Sequence, residues 1–98
     1  MYRGTTPTNI FTVDVDLTDA EVIYITYKQA GVVVIEKDID DITVAVDSLT
    51  VKLTQEETLG FKDRDVEVQI RARYPNGDAI ASNIIKTTAK NILKEGVI

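Results

Sequence analysis

Two groups of carboxylates, Asp14/Asp16/Asp19 and Asp38/Asp40/Asp41, are the residues of this chain with the most obvious chemical potential, and cation binding is the chemistry they suggest. Calcium takes roughly six to eight oxygen ligands. Neither group carries the glycine and distal glutamate of an EF-hand loop, and Asp14 and Asp16, two apart, share the solvent face of a strand. Both groups therefore read as solvated strand and turn carboxylates, and no metal ligand set is expected. A pair of carboxylates could also act as the acid and base of a glycosidase. The chain has no tryptophan and no lid-like segment to shape a sugar cleft, and Tyr2, Tyr24, Tyr27, Tyr74, Phe11 and Phe61 fall mostly at positions suited to core or cross-strand packing.

Arg71 and Arg73, with Lys86 and Lys90, form a candidate positive patch. Glu67 belongs to the same face, so the group reads as a solvated cross-strand charge ladder. Cysteine and histidine are both absent. Their absence removes disulfides, thiolate nucleophiles, imidazole bases and the usual ligands of zinc and copper. No Ser-His-Asp set, phosphate-cradling glycine loop or dinucleotide fingerprint occurs. The expectation is a non-enzyme with no catalytic residue and no cofactor.

The elements that would position these residues are strands. In Asp65–Ile85, Val66, Val68, Ile70, Ala72 and Tyr74 alternate with Glu67, Gln69, Arg71 and Arg73 before Pro75-Asn76-Gly77-Asp78, which spells a strand with one dry face, a turn and a returning strand. The last strand is expected over about residues 79–88. Phe11, Val13, Val15 and Leu17 alternate with polar residues, predicting a half-buried strand over residues 10–15. In Glu21–Lys28 both alternating sets are apolar, so a central strand is expected whose inward face the pattern does not choose. Gln29-Ala30-Gly31 makes Val22–Lys37 a second hairpin. Ile42–Val46 and Leu49–Leu53 are a further hairpin or one bulged strand. Thr54 as N-cap and Glu57 as its capping-box partner predict one helical turn over 54–60, with Leu59 and Phe61 plugging the core.

About seven short strands with regular turn signals predict an all-β, immunoglobulin-like antiparallel β-sandwich, with a small barrel as the alternative. At 98 residues the chain is expected to form one domain, burying roughly two-thirds of its unfolded surface. Residues 1–9 read as an extended N-terminal arm, 10–93 as the sandwich and 94–98 as a C-terminal tail. Sixteen acidic against eleven basic residues give a net charge of −5, the wrong sign for binding a phosphate backbone, so no nucleic acid is expected. No apolar run approaches the ~20 residues of a membrane span, and no signal-peptide layout opens the chain, which makes the cytoplasm the default compartment.

The termini stand out as a candidate contact surface. Ile92, Leu93, Val97 and Ile98 are apolar residues lying beyond the last expected core strand, and Tyr2, Arg3, Thr5 and Pro7 belong to the arm; the alternative is that Ile92 and Leu93 complete the core. Sheet edges add unpaired backbone groups that a neighbour or the arm itself would pair with.

RGTTPT at Arg3–Thr8, LTQEETLGF at Leu53–Phe61, VEVQIRARYPNGDAIASN at Val66–Asn83 and ILKEGVI at Ile92–Ile98 together resemble short virion-associated structural proteins of Firmicutes phages and prophages. A looser similarity is to the N-terminal β-sandwich domain of upper baseplate proteins of phages infecting lactic acid bacteria. The resemblance implies a tail, baseplate or neck component, placed in the virion or in the bacterial cytoplasm before assembly. Such a protein works by self-association, as a homo-oligomer, and by docking to other virion structural proteins. Two rival expectations are a carbohydrate-binding or host-adhesion sandwich and an accessory protein of a mobile element.

Overall fold

Strand alternation is realised as eight strands in two antiparallel sheets, in a computed structural model that describes residues Met1–Ile98. The strands are β1 (Thr8–Thr12), β2 (Val22–Gln29), β3 (Val32–Lys37), β4 (Ile42–Val44), β5 (Ser48–Lys52), β6 (Arg64–Arg73), β7 (Ala79–Ala81) and β8 (Ile85–Ala89), with one helical turn, α1 (Gln55–Leu59). One sheet has the order β1-β5-β4; the other runs β3-β2-β6, with β7 and β8 both paired to β6. Taking β1 as strand B, these are the B-E-D and C′-C-F-G orders of the immunoglobulin arrangement, without strand A. The all-β, immunoglobulin-like expectation holds.

The core forms where the two inner faces meet. Ile23, Ile25 and Tyr27 of β2 and Val66, Val68, Ile70 and Ala72 of β6 are buried on one side, against Leu49 and Val51 of β5 and Ile42 of β4 on the other. Glu67, Gln69, Arg71 and Arg73 take the outer face, as the period-two pattern of β6 requires. For β2 the structure resolves the ambiguity: Tyr24 and Lys28 face out. Phe61 plugs one end, with its ring 6.3 Å from that of Tyr27.

Turn chemistry sets the registers. Ala30 and Gly31 both have positive φ, 49° and 79°, between the paired Gln29 and Val32, the two-residue loop that matches strand twist. At the β6–β7 turn Gly77 takes φ 94°, and the Asp78 amide donates to Asn76 Oδ1 at 2.9 Å. α1 is capped as expected: the Glu57 amide donates to Thr54 Oγ1 and the Thr54 amide to Glu57 Oε1. Asp38 and Asp41 cap the 3₁₀ turn Ile39–Asp41 in the same reciprocal way, so these carboxylates are spent on backbone amides. Asp16 likewise accepts from the Thr18 hydroxyl and amide, which holds its carboxyl below its ordinary range.

Three boundaries differ from the sequence expectation. The first strand covers Thr8–Thr12 in place of 10–15, because Leu53 N–H to Pro7 O and Val13 N–H to Asp47 O bracket its pairing with β5. The last strand is split, because Ser82, Asn83 and Ile84 stand opposite Gln69 and Ile70, a one-residue bulge. Across it the Ser82 hydroxyl takes the place of a ladder carbonyl, accepting from the Ile70 amide at 3.0 Å. Finally, the N-terminal arm is docked. Tyr2 pairs in parallel with Lys90, Arg3 N–H donates to Lys90 O and Lys90 N–H to Met1 O, each at 2.9 Å.

Candidate functional site

The terminal residues singled out in the sequence meet at one end of the sandwich, beside α1. Arg3 is the centre of that meeting. Its Nε donates to Phe61 O at 2.6 Å, one terminal nitrogen donates to Leu59 O at 3.0 Å, and the other reaches Asn91 Oδ1 at 2.7 Å and Glu95 Oε1 at 2.8 Å. A guanidinium with five fixed donors suits such a junction of three chain segments. Gly4, at φ 70°, passes so close that a Cβ there would lie 2.9 Å from Ile92 Cδ1. Thr5 accepts at its carbonyl from the buried Thr58 hydroxyl at 2.8 Å, and Pro7 accepts from Leu53.

Of the expected contact residues, Arg3, Thr5, Pro7 and Ile92 thus spend much of their chemistry inside the molecule. Tyr2, Leu93, Val97 and Ile98 remain outside. Leu93 is fully exposed and Ile98 nearly so, although the Gln55 side-chain amide holds the Ile98 backbone with two hydrogen bonds of 2.9 and 3.1 Å. Thr6, Gln55, Glu56 and Val97 border a shallow depression of about 320 Å³ there.

A second surface was not singled out from the sequence. Between the β1 edge and the β7–β8 edge the sheets leave a cleft of about 720 Å³, walled by Val13, Val15 and Leu17 on one side and Ile80 and Ile85 on the other, with Ile70 and Ala72 as its floor. Ile80 and Ile85 pair with Ala72 and Val68, so both face inward, yet both are exposed. No strand of the opposite sheet reaches them. In immunoglobulin terms this is the side where strand A would lie.

Beside the cleft runs the open edge of β1. Pro7 and Val13 bond to β5, so by alternation the N–H and C=O groups of Thr8, Ile10 and Thr12 point away from it, and β1 has no other partner strand. The Ile10 side chain is 67% exposed. The available signal in the sequence was the neutral run TNIFT at Thr8–Thr12, which carries none of the charges or prolines that protect strand edges.

Elsewhere the polar groups serve the fold. Gln29 is buried and bonds Lys62 through both ends of its amide. Lys37 Nζ lies 2.7 Å from Glu57 Oε2; burial alone would raise the Glu57 carboxyl, but Lys37 and the Thr54 amide outweigh it and lower its pKa. Burial pushes the Tyr27 hydroxyl up to about 12, against the partly compensating hydrogen bond from Asn9. On the outer face Arg73 pairs with Glu21 at 2.9 Å, and Lys86 stands opposite Glu67, a charge ladder. No helix is long and apolar enough to cross a membrane. No protein-family model matches the chain, and comparison with curated proteins and with solved structures gives no significant match.

Proposed function

We propose that this chain is a non-enzymatic structural subunit of a phage or prophage virion, a tail, baseplate or neck component acting through self-association and docking to other virion proteins. The observation that carries the reading is the coincidence, on one side of the sandwich, of an uncovered apolar cleft with an unprotected strand edge. An inward-facing apolar wall in water is a cost that a protein partner removes. The exposed Leu93, Val97 and Ile98 at the end of the molecule supply a second, separate contact, and repeated weak contacts of that kind gain strength in a symmetric array. The likeness of the terminal and hairpin segments to virion-associated proteins directs this general assembly role toward a virion.

Mass spectrometry of purified particles from a lysogen carrying the coding sequence tests the reading. The chain is expected in intact particles at a fixed copy ratio. Leu93→Asp combined with Val97→Asp should abolish its incorporation without changing its fold by circular dichroism. Absence of the wild-type chain from particles overturns the virion assignment.

A further inference from the structure

We infer that β1 is a dimerisation strand, pairing antiparallel with β1 of a second copy about a two-fold axis at Ile10. The inference rests on the assembly reading above and names its first contact. Four sheet edges are available, and three of them are defended. The β3 edge carries a bulge where its register with β2 shifts, and it ends in Glu36 and Lys37. β4 has only three residues, too short an edge to hold a ladder. The β7–β8 edge is broken by the Ser82–Ile84 bulge and covered at its end by Met1–Arg3. Bulges, charges, shortness and covering segments are the devices that stop edge pairing. The five residues of β1, TNIFT, carry none of them.

The geometry also fixes the register. Thr8, Ile10 and Thr12 direct both backbone groups at the open edge, and an antiparallel ladder joins residues that do so in mutually bonded pairs. Only pairing of Ile10 with Ile10 of the second copy, and of Thr8 with Thr12, uses all three, making about six hydrogen bonds. A two-fold contact sets a strand against itself, so charge within it would be repelled. β1 is neutral throughout.

Occupancy of the cleft follows from the same contact. A standard interface takes roughly 800 Å² from each partner, about an eighth of the 6146 Å² this molecule exposes, and a single short strand supplies only part of it. The rest comes from the rim of the cleft, where Val15, Ile80 and Ile85 lie beside the β1 edge. The added strand closes the mouth, and two three-stranded sheets become one six-stranded sheet.

The absence of cysteine gives a clean test. Oxidation of Ile10→Cys should yield a covalent dimer, since mutually bonded residues bring Cα atoms to about 5.5 Å. Thr8→Cys alone and Thr12→Cys alone should remain uncoupled, and a mixture of the two should couple. In light scattering, Ile10→Pro, which removes an N–H that β5 does not use, should halve the wild-type mass with the circular dichroism unchanged. Ile10→Lys serves the same purpose should proline disturb the strand. A wild-type oligomer in which Ile10→Cys gives no cross-link, or Thr8→Cys alone couples as well, overturns the β1 pairing and leaves the assembly reading intact. A wild-type chain that stays monomeric to millimolar concentration overturns the pairing and the self-association half of that reading, while its presence in purified particles still decides the other half.

Discussion

At the scale of single residues, the partly buried Glu57 and the buried Tyr27 are both perturbed enough that their titration should be visible in stability. The Glu57 carboxyl is held below its ordinary value of 4.5 chiefly because the Lys37 ammonium and the Thr54 amide outweigh its burial. A depressed acid stabilises the fold above that ordinary value, and the contribution disappears as pH falls through the lower folded value. Tyr27 works in the opposite sense. Burial raises its hydroxyl from 10.0 to about 12, so its contribution is complete below 10 and lost on the way to 12. Thermal melts across pH should therefore sag at both extremes; Glu57→Gln should flatten the acid limb and Tyr27→Phe the alkaline one. A Glu57→Gln profile identical in slope to wild type below 4.5 would exclude the Lys37 pair as the cause.

Ala30 gives a prediction of the other sign. It sits at φ 49° in the β2–β3 turn, a left-handed conformation that costs most residues about 1–2 kcal/mol and that asparagine tolerates well. Ala30→Asn should stabilise the protein by up to about 1 kcal/mol, read as a higher denaturation midpoint with unchanged slope.

Elements are where the sequence was most and least legible. The faces of β6 could be read directly, because Val66–Ala72 alternate strictly and a slip of one residue would expose every one of them. The β2–β3 and β6–β7 turns and α1 were legible for equally local reasons: turn residues with special φ, and a cap whose two members are three residues apart. The docked arm was not legible, because Arg3 is held largely by the carbonyls of Leu59 and Phe61, and every residue offers a carbonyl. Nor was the cleft. Alternation puts Ile80 and Ile85, five residues apart, on opposite faces of one strand; only the bulge between them turns both inward, and the pattern shows neither that nor how far the other sheet extends.

The split of the last strand was hidden because Ser82-Asn83-Ile84 holds neither glycine nor proline, and a side-chain oxygen of Ser82 stands in for a backbone one across the bulge. Its removal should be costly. Ser82→Ala strands the Ile70 amide within β6, and an unpaired buried donor costs about 1–3 kcal/mol. Hydrogen exchange should show the Ile70 amide losing protection first; equal protection in the variant would mean that another acceptor has replaced the hydroxyl.

The whole molecule is more extended and less internally bonded than its length implies. Its radius of gyration is 14.1 Å, with extents of 47 × 25 × 18 Å, where a compact chain of this length would reach about 13 Å. It makes 45 backbone–backbone hydrogen bonds, whereas a chain of this length commonly makes about 65. The acidic excess adds long-range repulsion between copies, so association through a neutral edge should strengthen as salt is raised.

The parallel pairing of Met1–Arg3 with Thr88–Lys90 has a mechanical consequence. A force drawing the two ends of the chain apart acts along both paired segments in opposite directions, so the two backbone bonds and the Arg3 guanidinium are sheared together and cannot be peeled one at a time. Rupture under force is governed by the unfolding rate. In an optical trap with handles at residues 1 and 98, Arg3→Ala should lower the rupture force more than an outer-face change such as Lys28→Ala. The clasp then makes the fold stiff when tension runs between residues 1 and 98.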